Sequence, residues 1–183
     1  MKLYLIRHGE SETNLAKLYT GWAQVSLTET GKEQALSLQP RLAPIAFDKV
    51  YSSDLVRAMQ TAALAYPAKE AETTPLLREF NVGTLAGKPG TSVRVVNRDF
   101  TPFGGENHEM ITSRARAFLK QLEADPQEMV AAFSHAGYLR AMLGLVLGTE
   151  LIQDTFTCPN CAVAIFEYDG TKWRLHSWNA AAL

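Results

Sequence analysis

Cysteine is scarce in this chain: Cys158 and Cys161 are the only two among 183 residues. A structural zinc site wants four ligands, and no second Cys or His pair stands at metal-ligand spacing, so neither a metal nor another cofactor is expected. The run C-P-N-C precedes an apolar strand rather than opening a helix, which argues against a thioredoxin-like redox motif. Both residues read as unremarkable thiols. An excess of charge of either sign is also missing, with 18 Lys and Arg against 19 Asp and Glu. That balance leaves no basic footprint for nucleic acid and no polybasic membrane patch, so any bound anion must be held by a few local cations. Long apolar runs are absent too, and no stretch approaches the ~20 residues of a membrane span. The most apolar window, Tyr138 to Leu147, has the length of a buried helix and carries Arg140. Leu3 to Ile6 is too short for the apolar part of a signal peptide, and Arg7 ends it. A cytoplasmic protein is expected. No repeat or low-complexity tract divides the chain, which reads as one domain over 1–183, monomeric or a homodimer.

What is present alternates between strand and helix patterns. Leu3 to Ile6 and Lys49 to Ser52 predict short buried strands, and Met129 to Phe133 a third. Thr28 is placed to cap a helix running to about Leu42, kinked or shortened by Pro40. Asp54 to Tyr66 predicts a second helix with Leu55, Ala58, Met59, Ala62 and Tyr66 on one face. Glu106 to Glu123 predicts a third, aligned by Ile111, Ala115, Phe118 and Leu122, and Gly137 to Leu147 a fourth. Ala162 to Tyr168 and Lys172 to Trp178 close the chain as strands, with Asp169-Gly170 as a two-residue hairpin turn. The expected fold is α/β: a three-layer sandwich with a mostly parallel central sheet, an antiparallel end strand and helices on both faces.

Ligands of such sheets bind beyond the carboxyl ends of the strands. The first strand ends at Arg7-His8-Gly9-Glu10, the second at Ser52-Ser53-Asp54 with Arg57 just beyond, and the third at Ser134-His135-Ala136-Gly137. If these strands are neighbours, Arg7, His8, Arg57 and His135 converge. Guanidinium forks match the oxygens of a phosphoryl group, and helix N-termini at Ser53 and Ala136 would add N–H donors. A neutral imidazole can attack phosphorus directly. Gly9 would let the ligand approach the backbone closely. An Arg in the first turn of a helix opposes the dipole, so Arg57 makes more sense with an anion before it. His108 and His176 carry no such context; His176 shares a strand face with Lys172 and Arg174 and is expected to face water.

Arg7-His8-Gly9-Glu10 with Thr13-Asn14 resembles the opening motif of the histidine phosphatase superfamily, in its phosphoglycerate-mutase-like branch. The resemblance continues through Tyr19-Thr20-Gly21-Trp22, Leu27-Thr28 with Gly31, Gln34 and Ala35, and Tyr51-Ser52-Ser53-Asp54-Leu55 with Arg57, Ala58, Gln60, Thr61 and Ala62. It extends to Leu77 and Glu79 with Gly83 and Gly87, then Gly104-Gly105-Glu106, and Ser134-His135-Ala136-Gly137 with Arg140. Ordered motifs thus cover essentially the whole chain.

The resemblance implies roles. His8 would accept the phosphoryl group; Arg7, Arg57 and His135 would clamp its oxygens; Asn14 and Gly21 would add substrate contacts. Glu79 would protonate the leaving oxygen and then activate water. The implied activity is a metal-independent phosphatase acting on a small phosphate ester, similar to bacterial α-ribazole and broad-specificity phosphatases. A phosphoglycerate-type mutase is the main alternative. Mutases of the branch carry an insertion before the G-G-E motif, whereas Glu79 to Gly104 is short here, with Lys88, Arg94 and Arg98 as its cations. They also tend to have Trp-Asn where this chain has Thr13-Asn14. A protein phosphohistidine phosphatase, and a phospho-ligand binder without catalysis, are further alternatives. Residues at about 84–103 are expected to cover the pocket and set specificity.

Overall fold

The computed structural model describes residues 1–149 and 155–179, so the single-domain reading over 1–183 reaches residues outside those described. Six strands form one sheet: β1 (Lys2–Arg7), β2 (Lys49–Ser53), β3 (Glu72–Thr74), β4 (Met129–Ser134), β5 (Val163–Tyr168) and β6 (Trp173–Trp178). Their order is β3-β2-β4-β1-β5-β6. The first four run parallel, and β5 pairs antiparallel with both β1 and β6. The antiparallel strand therefore lies one in from the edge. The helices are α1 (Glu12–Leu15), α2 (Glu29–Leu42), α3 (Val56–Ala65), α4 (His108–Ala124) and α5 (Ala136–Leu147).

Strand periodicity builds the three layers. Leu3 and Leu5 of β1, with Val130 and Ala132 of β4, face the core under α4 and α5. Tyr4 and Ile6, with Ala131 and Phe133, face the core under α2 and α3. Successive residues point to opposite faces, and both faces are covered, so these strands read as continuous apolar runs. None of the described helices is long and apolar enough to cross a membrane.

Several boundaries differ from the sequence reading, each for a local reason. β3 and α1 are too short to carry a periodic signal. α3 begins at Val56 rather than Asp54, because Leu55 is extended and the Asp54 carboxylate is taken by both nitrogens of an Arg78 fork. α4 begins at His108 rather than Glu106, because the Asn107 side chain caps it by accepting from Met110 N. Pro40 does not end α2, which continues to Leu42. The missing N–H falls in the last turn, where the loss of one hydrogen bond is tolerated. The final hairpin turns over four residues, Asp169 to Lys172, since Tyr168 pairs with Trp173. The Asp169 carboxylate organises it by accepting from Thr171 N and Lys172 N.

The topology brings the chemistry together. β4 lies between β1 and β2, and Arg7 pairs in register with Ser134. His8 N continues that ladder by donating to Ser134 O at 2.9 Å. The strand ends bearing His8 and His135 are thus adjacent.

Candidate active site

The His8 and His135 rings meet edge to face, with centroids 5.1 Å apart. Both residues are buried. His8 Nδ1 lies 2.6 Å from the carbonyl oxygen of Gly9, which can only accept, so Nδ1 carries the proton. Arg57 Nε donates to His8 Nε2 at 3.2 Å. That nitrogen accordingly carries the lone pair. Burial, followed by the Arg57 and Arg7 guanidiniums, holds the His8 imidazole well below its ordinary pKa. Burial does the same to His135, helped by Arg57, His8 and Arg7. Both imidazoles are neutral at pH 7, and a neutral imidazole is the nucleophilic form.

Arg57 is fixed on three sides. Besides His8 it donates to Gly21 O at 2.8 Å and Ala23 O at 3.0 Å. Gly21 has φ of +53°, and a Cβ there would lie 2.5 Å from the Val82 side chain. A side chain at this position would displace the carbonyl that aims Arg57. Burial pulls the Arg57 pKa down to about 10, against the opposing pull of the Glu79 carboxylate, so the group stays charged at neutral pH. Arg7 is likewise lowered by burial, and its Nη1 donates to Cys158 O.

Glu79 is held by backbone. Its two oxygens accept from Phe80 N at 2.9 Å and Gly137 N at 3.0 Å. Its own carbonyl accepts from Trp22 Nε1 at 2.7 Å and Arg114 Nη2 at 3.1 Å. The α5 N-terminus therefore serves Glu79. At α3, Leu55 N and Val56 N donate to Ser53 Oγ and Gln24 Oε1. At these two helix starts the N–H groups of Leu55, Val56 and Gly137 are thus engaged by the protein. Gly9 also differs from expectation: its close approach is to the Gly31 carbonyl, 2.3 Å from where a Cβ would lie. The missing side chain seats α2 against the strand end.

Arg7, His8, Asn14, Gly21, Arg57 and Glu79 line one cavity of about 160 Å³. Tyr19, Arg98 and Phe100 also line it, the last two from the segment expected to cover it. A larger cavity of about 420 Å³ between α3 and residues 66–73 offers Lys69 and Glu70 but no arginine or histidine. His108 and His176 lie apart from the site, His176 on the exposed face of β6 beside Glu167. Three buried nitrogens at the site, Arg7 Nε and both ring nitrogens of His135, have no hydrogen-bond partner among the described residues. Arg7 Nε and the protonated nitrogen of neutral His135 are unpaired buried donors, which are costly and rare, and both suit an oxygen-rich ligand.

The sequence reading missed two supports. Arg114 donates to the carbonyls of Leu76, Arg78 and Glu79 while paired with Glu106 at 2.9 Å. Its signal was a cation three residues after Ile111 and four before Phe118, inside an apolar stripe. Asn160 donates to His8 O and Asn14 Oδ1, and nothing local in the sequence marks it.

Comparison with known proteins agrees with this geometry. The sequence model of the histidine phosphatase superfamily (branch 1) matches residues 3–181. An adenosylcobalamin/alpha-ribazole phosphatase of Salmonella typhimurium is 33% identical over 162 residues, 80% of each chain. A probable phosphoglycerate mutase GpmB of Proteus mirabilis is 28% identical, over 97% of this chain and 90% of its own. In structure the chain is similar to a putative alpha-ribazole-5'-P phosphatase from Escherichia coli, with TM-score 0.87, 25% identity and coverage of 100% and 98%. It is also similar to phosphoserine phosphatase of Entamoeba histolytica in complex with 3-phosphoglyceric acid, with TM-score 0.86, 25% identity and coverage of 98% and 97%. The matched motifs and the matched fold agree: this chain belongs to the histidine phosphatase superfamily, branch 1.

Proposed function

We propose that the protein is a phosphomonoesterase that hydrolyses a small phosphate ester through a phosphohistidine on His8. The observation that carries this reading is the set of unpaired buried nitrogens on Arg7 and His135 beside a neutral His8 whose Nε2 lone pair faces Arg57. Phosphoryl oxygens that take over the Arg57 Nε donor, together with Arg7 and His135, would free that lone pair and place phosphorus before it. As Nε2 forms the P–N bond, the ester P–O bond breaks and its electron pair leaves on oxygen, which takes a proton from the Glu79 carboxyl. Glu79 then takes a proton from water, whose oxygen attacks phosphorus and returns the P–N electrons to Nε2.

The cavity volume of about 160 Å³ suits a compact leaving group, with Arg98, Tyr19 and Phe100 as its neighbours. Residues 84–103 act as the cover in this reading; Tyr19 N donates to Lys88 O and Gly87 N to Tyr19 O, tying the segment to the rim. The near-full-length likeness to a probable mutase makes transfer to an organic acceptor the second reading. Phosphate release from sugar phosphates, nucleotides, α-ribazole phosphate, phosphoserine and phosphoglycerates, measured in EDTA, tests both. Release from one compact ester is expected, since arginines supply the positive charge. Isomerisation without release would favour the mutase, and activity abolished by EDTA would refute the metal-independent mechanism. The His8→Ala variant should lose turnover and keep phosphate binding; unchanged turnover would refute His8 as nucleophile.

A further inference from the structure

The C-P-N-C run is not idle. Cys158 O accepts from Arg7 Nη1, and Cys161 N donates to His8 O at 3.3 Å. Asn160 Nδ2 donates to the same His8 carbonyl at 3.1 Å and to Asn14 Oδ1 at 3.3 Å. Cys161 holds φ of +59°, a region a non-glycine residue occupies only when its surroundings impose it. Ala162 N donates to Pro159 O at 3.0 Å, which closes the turn, and Arg7 N donates to Ala162 O at 2.9 Å. Burial pushes the two thiols up to about 11 and about 12, so the sulfurs stay protonated and chemically quiet. The segment acts through its backbone and through Asn160.

The amide orientations follow from donor and acceptor identity. The His8 carbonyl can only accept, so the edge of Asn160 that meets it is Nδ2. Asn14 then meets two donors, Asn160 Nδ2 and Ser11 N, both at 3.3 Å, so the atom between them is Oδ1. Asn14 lines the cavity, and the group it has left to offer is its Nδ2 donor pair.

We propose that Asn160 is a positioning residue for phosphoryl capture: it pins the His8 carbonyl and sets the Asn14 amide so that a donor, not an acceptor, faces the phosphoryl oxygens. The ligand in this statement rests on the phosphomonoesterase reading; the hydrogen-bond chain does not. Asn160→Asp keeps the shape and replaces the donor by an acceptor, so Asn14 should turn its amide over and present oxygen to the cavity. Inorganic phosphate binding, measured by calorimetry, should weaken about tenfold or more, the loss of one hydrogen bond to a charged ligand. Asn14→Ala should weaken it similarly, and adding the uncharged Asn160→Ala to Asn14→Ala should weaken it little further, because the first acts through the second. Asn160→Ala serves if the aspartate destabilises the fold, and should give a smaller loss that is again absent on the Asn14→Ala background. Phosphate affinity within twofold of wild type in both Asn160 variants, or losses that simply add, would overturn the proposal. Because phosphate binding needs no turnover, a wild type that binds phosphate but releases none from any ester would sink the hydrolase reading and leave this test intact.

Discussion

Gly137→Ala probes the seating of Glu79 without replacing a charged residue. A Cβ at position 137 would lie 2.2 Å from Glu79 Oε1, 3.0 Å from its Cδ and 2.7 Å from Phe80 Cδ2. The carboxylate must withdraw by roughly 1 Å to restore van der Waals contact, and Phe80 limits where it can go. The Gly137 N to Glu79 Oε2 bond at 3.0 Å is lost with that shift. Overpacking of this kind costs about 1–3 kcal/mol, which lowers Tm by roughly 2–12 °C in a chain of this size. A proton donor displaced by about 1 Å loses on the order of a hundredfold in rate. That loss depends on the leaving group. An alkyl alkoxide needs the proton, whereas 4-nitrophenolate leaves readily without it. The assay is kcat/KM, which reports the first irreversible step, for an alkyl phosphate and for 4-nitrophenyl phosphate in parallel. The alkyl ester should lose about a hundredfold and the nitrophenyl ester much less. Equal losses for both esters, or none, would refute Glu79 as the proton donor.

The buried imidazoles set a pH dependence of stability. The folded-state pKa values of His8 and His135 are depressed, so the unfolded chain binds protons first, and stability present above about pH 6.5 is lost as pH falls. Each imidazole contributes a slope of about 1.4 kcal/mol per pH unit below that point; urea melts of wild type against His8→Asn/His135→Asn should differ in slope accordingly, and equal slopes would refute neutral burial. Arg114→Met leaves Glu106 buried without its partner and frees the carbonyls of Leu76, Arg78 and Glu79, with an expected cost of about 3–5 kcal/mol in denaturant melts. Arg114→Met/Glu106→Gln should recover part of it; a single variant within about 1 kcal/mol of wild type would mean that the pair does not hold the Glu79 segment.

The sequence by itself determined the layers and the floor of the site. Short continuous apolar runs at Leu3–Ile6 and Val130–Phe133 have the length of strands buried on both faces, and those strands end in Arg7-His8 and Ser134-His135 because polar chemistry must begin where the apolar sheet stops. Resemblance added Glu79, which no periodicity marks, since its loop has none. Only the tertiary structure decided what the helix starts at α3 and α5 do, because whether an N–H faces a ligand or a protein oxygen depends on which loop packs against it. Glu79, Ser53 and Gln24 take the Gly137, Leu55 and Val56 donors. The same holds for Gly9, whose glycine is required by Gly31 across the fold. It holds most for Asn160, separated from His8 and Asn14 by about 150 residues of chain and joined to them by two hydrogen bonds. Local pattern reports what a residue prefers; only packing brings together a donor and an acceptor that far apart in sequence.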